Sequence, residues 1–175
     1  MSNKTIGILM PGDMGHGCGK IFLENNFRVV TCLNNRSNRT KKLSENAGIE
    51  NVQTIENVVN FSDIILSILP PEAALKLASI VNKIILEKKK YLTYVDCNAV
   101  SPKTAEKINT AISSEYCNFI DAGIIGFNPI IEKGQTRLYV SGPNTKPIKI
   151  LHNKGFIIKD LGKEIGRASG MKMIY

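Results

Sequence analysis

Residues 6–15 have the sequence Ile6-Gly7-Ile8-Leu9-Met10-Pro11-Gly12-Asp13-Met14-Gly15, and this stretch decides the fold. The apolar run at residues 5–10 predicts a strand, and the glycine-rich segment at residues 11–19 predicts a tight turn. A helical pattern then continues through residues 20–23. The order strand, turn, helix is the opening of a βαβ unit and predicts a parallel sheet.

The glycines of this turn have the spacing of a dinucleotide-binding fingerprint. In the pattern G-x-G-x-x-G the second glycine lets the backbone approach a pyrophosphate, and the third allows close packing of helix on strand. Gly12 and Gly15 occupy these two positions, whereas Met10 stands where the first glycine belongs. The start of the following helix favours bound phosphates, although an ordinary tight turn is the alternative. The candidate cofactor-binding residues of the turn are Met10, Pro11, Gly12, Asp13, Met14 and Gly15.

Strands and helices continue to alternate along the chain. Short apolar runs predict strands, and the longer segments between them predict helices. Further strands are predicted at residues 27–33, 63–69, 91–95, 118–121, 136–140 and 155–159. Helices are predicted at residues 56–61, 71–87 and 102–112, from near residue 144, and from residue 167 onward. This order predicts an α/β fold of the Rossmann type, doubly wound around a mostly parallel sheet that the last two strands extend at one edge.

The end of the second predicted strand bears on which dinucleotide binds. Enzymes that use NAD usually place an acidic residue there, which binds the ribose 2′-hydroxyl. This chain instead has Asn34-Asn35-Arg36-Ser37-Asn38-Arg39. Because arginine binds phosphate through paired hydrogen bonds and stays charged, Asn35, Arg36 and Ser37 predict NADP, with NAD as the second choice. A merely exposed basic loop is the alternative.

Two more segments follow predicted strands at the carboxyl edge of the sheet, where ligands of such folds bind. In Leu69-Pro70-Pro71 the first two residues are candidate cofactor contacts, although the second proline equally suits a purely structural helix start. Asn98 is a candidate for binding both cofactor and substrate, because its amide can hydrogen-bond a carboxylate or a hydroxyl. Ser101 has the position of a helix N-cap and is a second candidate for binding substrate.

Length, composition and charge indicate one ordinary folded domain. The chain has 175 residues, of which 43% are hydrophobic and 22% charged, unlike a disordered chain. Its net charge of +8 suits anionic ligands, but the one dense basic run, Lys88-Lys89-Lys90, follows an apolar helical stretch and is not interleaved with aromatic residues. We therefore expect neither a nucleic-acid nor a membrane partner. Four separated cysteines without a C-x-x-C pair predict no metal site, and the lack of a signal-peptide pattern predicts a cytoplasmic protein.

These segments together resemble the β-hydroxyacid dehydrogenase family, which includes 3-hydroxyisobutyrate and 6-phosphogluconate dehydrogenases. The landmarks fall in the family's order and spacing across essentially the whole chain. They are Gly12-Asp13-Met14-Gly15, Asn35-Arg36-Ser37, residues 96–104, Asp121-Ala122-Gly123-Ile124-Ile125-Gly126 and residues 166–172. Within the family the chain resembles a phosphogluconate-dehydrogenase-like subgroup, through its Asp-x-Asn-x-x-Ser-Pro and Asp-Ala-x-Ile-x-Gly segments.

The resemblance implies a dehydrogenase whose catalytic group is Lys172. In the family this lysine lies on the long helix that leaves the nucleotide domain, and it exchanges a proton with the substrate hydroxyl while hydride moves to the nicotinamide. The family grips the substrate carboxylate with a Ser-Gly-Gly, where this chain offers only the backbone of Gly123 and Gly126. The implied substrate is a small β-hydroxyacid or sugar acid.

The resemblance also implies a plan of domains. We expect residues 1–166 to form the NAD(P)-binding domain and residues 167–175 to begin the interdomain helix, with the family's C-terminal helical domain absent. In the family that domain closes the substrate cleft and builds the dimer, so a homodimer or a separately encoded C-terminal domain would complete the site. Two interpretations stay open: an NADP-preferring β-hydroxyacid dehydrogenase, and a non-catalytic NADP-binding module that lacks the helical domain.

Overall fold

The structure, a computed structural model, describes residues 4–175, which form one eight-stranded sheet with helices on both faces. The strands are β1 (Thr5–Leu9), β2 (Arg28–Thr31), β3 (Glu50–Asn51), β4 (Ile64–Ser67), β5 (Leu92–Asp96), β6 (Cys117–Ile125), β7 (Arg137–Ser141) and β8 (Ile157–Asp160). The helices are α1 (Asp13–Glu24), α2 (Asn38–Ala47), α3 (Ile55–Phe61), α4 (Pro71–Lys88), α5 (Pro102–Ile112) and α6 (Arg167–Ile174), with a 3₁₀ helix at Lys146–Leu151. The α/β fold of the Rossmann type, predicted from the sequence, is confirmed.

The strand order creates the crevice in which such folds bind their ligands. Across the sheet the strands lie in the order β3-β2-β1-β4-β5-β6-β7-β8. The strands from β3 to β6 are parallel, β7 is antiparallel to β6, and β8 is parallel to β7. Strands β2 and β3 lie on one side of β1, toward one edge of the sheet. Strand β4 lies on the other side of β1, and the later strands follow it toward the opposite edge. The carboxyl ends of β1 and β4 therefore flank the switch point at which α/β sheets bind ligands.

Apolar packing covers both faces of the sheet, because successive side chains of a strand point to opposite faces. On one face Ile6 and Ile8 of β1 pack in a cluster with Phe22 of α1. On the other face Ile65 of β4 packs in a second cluster with Ala78 of α4. With both faces covered, the carboxyl edge is where the fold presents polar groups to a ligand.

The sequence prediction missed two elements, α2 and β3. Helix α2 buries only Ser44, so its sequence has no apolar stripe from which a helix could be predicted. Its ends nevertheless carry capping signals: the Ser37 hydroxyl accepts a hydrogen bond from Thr40 N at 3.2 Å, and Gly48 has a left-handed φ of 80°. Cap residues, rather than hydrophobic periodicity, mark this helix in the sequence.

Three other elements differ from their predicted form. Helix α1 begins at Asp13, inside the segment at residues 11–19 for which the sequence predicts a turn. Strand β6 continues to Ile125, beyond the predicted end at Asp121, because β7 pairs with it past the end of β5. The helix predicted from near residue 144 is the short 3₁₀ helix, whose second residue is Pro147. Proline lacks a backbone N–H and fixes φ, which suits the start of a helical turn.

The basic run ends α4, where Lys88 pairs with Glu56 at 2.6 Å and Lys89 takes a left-handed conformation. None of the helices within residues 4–175 combines the length and the apolar character that a membrane crossing requires. Over the same residues, no three His, Cys, Asp or Glu side chains come together as they would around a metal ion.

Candidate active site

The turn between β1 and α1 closes although a methionine occupies its first position. Met10 has a φ of 65°, in the left-handed region that glycine adopts most easily. Its carbonyl accepts a hydrogen bond from Gly12 N at 2.8 Å. A left-handed non-glycine residue costs about 1 kcal/mol, so the turn carries a small local strain where the fingerprint has its first glycine.

Gly12 and Gly15 leave room for different neighbours. A Cβ atom added at Gly12 would meet nothing within 4 Å, so the outer side of the turn is open. A Cβ atom at Gly15 would lie 3.0 Å from the Met10 carbonyl oxygen and 3.4 Å from Ile8 Cγ2. Gly15 therefore lets α1 lie directly on β1, whereas Gly12 leaves space at the helix start that a phosphate group fits.

Two cavities adjoin at this turn. The larger, of about 560 Å³, lies between the end of β2 and α4, and its walls include Asn35 and Arg36. The smaller, of about 300 Å³, is lined by the first turn of α1, including Gly12, Asp13, Met14 and Gly15. Met10, Leu69 and Pro70 line both cavities. The two volumes together follow the carboxyl ends of β2, β1 and β4, in the size range of small-molecule sites.

Nine of the twelve predicted cofactor-binding residues line these cavities; Pro11, Ser37 and Asn98 do not. Asp13 lines the smaller cavity but is exposed and forms an ion pair with Arg39 at 2.6 Å. Ser37 caps α2, and Pro11 is buried; neither residue lines either of these two cavities. The Arg36 guanidinium makes no hydrogen bond to residues 4–175, so it is available to a ligand of the larger cavity.

Asn98 joins the ends of β4 and β5. Its side chain is buried, and its Oδ1 accepts a hydrogen bond from Leu69 N at 2.7 Å. Its Nδ2 donates to Ser67 Oγ at 3.0 Å and to Asp96 Oδ1. Both amide hydrogens are thus engaged within the protein, and a direct contact with cofactor or substrate would need one of these partners to be released.

Lys172 reaches the carboxyl edge of the sheet from α6. Its Nζ donates a hydrogen bond to the carbonyl oxygen of Cys97 at 3.0 Å, immediately after β5. A Cβ atom at Gly123 would lie 3.1 Å from Lys172 Cβ and 3.5 Å from Lys172 Cδ. Gly123 therefore provides the space through which the lysine stem passes.

The other predicted substrate-binding residues lie on elements next to the lysine. Ser101 caps α5, and its Oγ accepts a hydrogen bond from Thr104 N at 3.2 Å. Gly126 follows β6 with a φ of 122°, a conformation that other residues rarely adopt. Direct substrate contacts of Ser101, Gly123 and Gly126 stay predictions.

A buried carboxylate holds α6, and with it Lys172, against the sheet. Asp121 on β6 accepts hydrogen bonds from Gly166 N at 2.9 Å and from Ser169 N at 3.1 Å, at the start of α6. The hydroxyl groups of Ser141 and Ser169 donate to the same carboxylate. A negative charge at a helix N-terminus is favoured by the free N–H groups and by the helix dipole. In the sequence Asp121 stands out only as part of a landmark segment, since its partners lie far along the chain.

Asp96, at the end of β5, was not among the predicted site residues. Burial raises the pKa of this carboxyl group to about 7; the hydrogen bond from Asn98 and the charge of Lys172 oppose the shift, while the charge of Asp121 adds to it. Its Oδ2 is buried without a hydrogen-bond partner within residues 4–175. The sequence signal that could have identified Asp96 is an acidic residue at the end of a buried strand, at the edge of the sheet where ligand sites form.

Comparison with known proteins gives one family match and one curated relative. A family model described as the NAD-binding domain of 6-phosphogluconate dehydrogenase matches residues 5–164. An uncharacterised 28.5 kDa protein, from the 7S RNA 5′ region of Methanothermus fervidus, is 34% identical over 153 residues. The aligned part covers 87% of this chain and 57% of that protein.

Solved structures match nearly the whole chain. A conserved protein of unknown function, described as structurally similar to 3-hydroxyacid dehydrogenases, matches with a TM-score of 0.85 at 26% identity, over 97% of this chain and 62% of that one. A reductive aminase from Aspergillus terreus, in complex with NADPH4, cyclohexanone and allyl amine, matches with a TM-score of 0.82 at 18% identity, over 99% and 59%. The second likeness shows the fold alone. The chain spans between 57% and 62% of the length of these three proteins.

Proposed function

The chain belongs to the family of the NAD-binding domain of 6-phosphogluconate dehydrogenase, and from this membership we propose that it is the nucleotide-binding part of an oxidoreductase. The substrate is a β-hydroxyacid or a sugar acid, which is oxidised by hydride transfer to NADP in preference to NAD. Lys172 is the general acid/base that exchanges a proton with the substrate hydroxyl. In this proposal residues 1–166 are the NAD(P)-binding domain, and α6 begins the helix that leaves it.

The observation that carries this proposal is the position of Lys172 relative to the glycine turn. Both lie at the carboxyl edge of the sheet: the turn follows β1, and the lysine hydrogen-bonds the carbonyl that follows β5. Between them Asn98 joins the end of β5 to Leu69, a residue that lines both cavities. One edge therefore offers a phosphate site at the start of α1 and an acid/base group two strands away.

The residues at this edge fit a dinucleotide and the chemistry that it supplies. The open outer side of Gly12 and the helix start leave room for a pyrophosphate. A bound dinucleotide would supply the nicotinamide as hydride acceptor. Lys172 takes the hydroxyl proton as a neutral amine, and the hydrogen bond that its Nζ donates to the Cys97 carbonyl orients it. The packing of the Lys172 side chain against Gly123 keeps Nζ at the crevice.

Arg36 supports the preference for NADP. Strand β2 is followed by Cys32, Leu33 and Asn34, so no carboxylate stands where NAD enzymes bind the ribose 2′-hydroxyl. Arg39 is engaged by Asp13, which leaves Arg36 as the guanidinium on the wall of the larger cavity. A planar guanidinium matches the oxygen atoms of a 2′-phosphate.

Turnover by the full-length protein tests the proposal. The oxidation of NADPH or reduction of NADP is followed by absorbance, with a panel of β-hydroxyacids, sugar acids and their oxo forms. We expect turnover with at least one of them, and we expect Lys172→Met to lower kcat by roughly 10²-fold or more while NADP binding persists. Lys107→Met, an exposed lysine on α5, is the matched control and should retain full activity. Binding of NADP without turnover of any substrate would instead support the non-catalytic module.

A further inference from the structure

Four buried polar side chains form a row across the sheet, beneath the crevice. Ser67, Asp96, Asp121 and Ser141 lie on β4, β5, β6 and β7, and each is paired in register with the next. Side chains paired in this way lie on the same face of a sheet, with neighbouring strands about 4.8 Å apart. All four side chains are fully buried. This polar row therefore places two carboxyl groups side by side in the interior.

The two carboxyl groups have different surroundings. Asp121 accepts four hydrogen bonds, from Ser141 Oγ, Gly166 N, Ser169 N and Ser169 Oγ. Asp96 accepts a hydrogen bond from Asn98, and the neighbouring Ser67 hydroxyl also favours its ionised form, but its Oδ2 is buried with no close partner in the described chain. Hydrogen-bond donors favour an ionised carboxylate, whereas burial and a neighbouring negative charge favour the protonated form. Asp96 is therefore the member of the pair that takes up a proton.

The titratable groups that face Asp96 shift its pKa in opposite directions. Burial is the largest influence and raises the pKa of Asp96; the charge of Asp121 on β6 raises it further, and the charge of Lys172 on α6 lowers it. On the same strand, burial and then the charge of Asp96 raise the pKa of Tyr94, whereas its interaction with Ser67 lowers it. Burial and then the same charge also raise the pKa of Cys97. Lys172 lies beside Asp96, because its Nζ donates a hydrogen bond at 3.0 Å to the carbonyl oxygen of Cys97, the next residue along the chain.

We propose that Asp96 is a positioning residue for Lys172, a buried carboxyl group that binds or releases a proton in response to the charge of the lysine. This inference rests on the proposed function of Lys172. When Lys172 accepts the substrate proton and becomes positively charged, Asp96 releases its own proton to solvent and attracts the ammonium group. When Lys172 returns to the neutral amine, Asp96 regains a proton from solvent. The net charge beneath the crevice then stays constant through the reaction.

The titration of Asp96 in the full-length protein tests this coupling without any substrate. The side-chain carboxyl carbon is followed by ¹³C NMR in protein labelled at aspartate, and it is assigned through its own backbone, which needs no substitution at Asp96. We expect a midpoint of about 7. In Lys172→Met the midpoint should rise by about one pH unit, because the positive charge is lost. Lys172→Arg keeps that charge and should leave the midpoint in place.

Two outcomes would overturn the coupling: the same midpoint in the wild-type protein and in Lys172→Met, or a midpoint in the ordinary range of an aspartic acid. A kinetic measurement then tests the link to catalysis. Asp96→Asn should lower kcat by about tenfold and flatten the pH profile near neutrality, with KM unchanged because Asp96 does not touch the substrate. Glu106→Gln, an exposed acid on α5, is the charge-matched control.

The titration of Asp96 and the kinetics of Asp96→Asn test different claims, so one can fail while the other succeeds. An Asp96→Asn variant that folds, with full kcat and an unaltered pH profile, would overturn the positioning role even where the coupling is present. If the titration responds to Lys172 but the protein turns over no hydroxyacid, the proposed function fails and the coupling of the two groups stands.

Discussion

Arg36 is the residue on which the choice between NADP and NAD depends. Its guanidinium lies on the wall of the larger cavity, next to Asn35, and no acidic residue follows β2. A charged hydrogen bond to phosphate is worth about 1.5–3 kcal/mol. We therefore predict that Arg36→Ala weakens NADPH binding by roughly 10-fold to 100-fold and leaves NADH binding nearly unchanged.

The fluorescence of the reduced nucleotides on binding measures both affinities. Lys42→Ala, which removes an exposed positive charge from α2, is the control for the general loss of basic charge. Equal losses of NADPH and NADH affinity in Arg36→Ala would remove the support for NADP preference.

Single residues differ in how far their sequence reveals their role. Gly12 and Gly15 are found by spacing, since a turn between strand and helix needs them at fixed positions. Lys172 is found only through the family resemblance, because nothing in a short helical segment distinguishes one lysine from another. Asp96 and Asp121 meet only through the pairing of β5 with β6, and local sequence does not encode that register.

At the junction of β1 with α1, one glycine is expected to affect ligand binding and another to affect the stability of the fold. A methyl group at Gly12 points into open space, whereas one at Gly15 presses on the backbone of Met10. We predict that Gly15→Ala lowers the free energy of unfolding by about 2 kcal/mol through overpacking. Gly12→Ala, at the N-cap of α1, should lower that free energy by only about 0.5 kcal/mol and weaken NADPH binding by about tenfold, which is about 1.4 kcal/mol.

Denaturant unfolding and NADPH titration of the same two variants check this division, and each variant is the control of the other. An unfolding midpoint that falls equally in both would mean that the turn is only a packing junction. Retention of full NADPH affinity in Gly12→Ala would mean that the phosphate site lies elsewhere.

Strands and helices could be predicted where burial of one face gives their sequence a periodic pattern of apolar residues. The apolar strands of the parallel sheet and the long α4 have such patterns, whereas α2 fully buries only one of its side chains and β3 has only two residues. The length of β6 depends on its antiparallel partner β7. Cap residues and tertiary pairing, rather than hydrophobic periodicity, decide those elements.

At the scale of the whole molecule, the fold determines where polar groups converge. Alternating strands and helices predict a doubly wound sheet, and its carboxyl edge is the predicted place for a ligand. The structure confirms the sheet, with order reversing between β1 and β4. The turn of Gly12, the buried link through Asn98, and Lys172 all lie at that edge, although they come from distant parts of the chain.

A crystal structure of the protein grown with NADP tests the central claim most directly. We predict that the pyrophosphate lies on the first turn of α1 beside Gly12, with the 2′-phosphate at Arg36 and the nicotinamide on the side of Lys172. Density for the dinucleotide at another surface, or an empty crevice at saturating NADP, would contradict it.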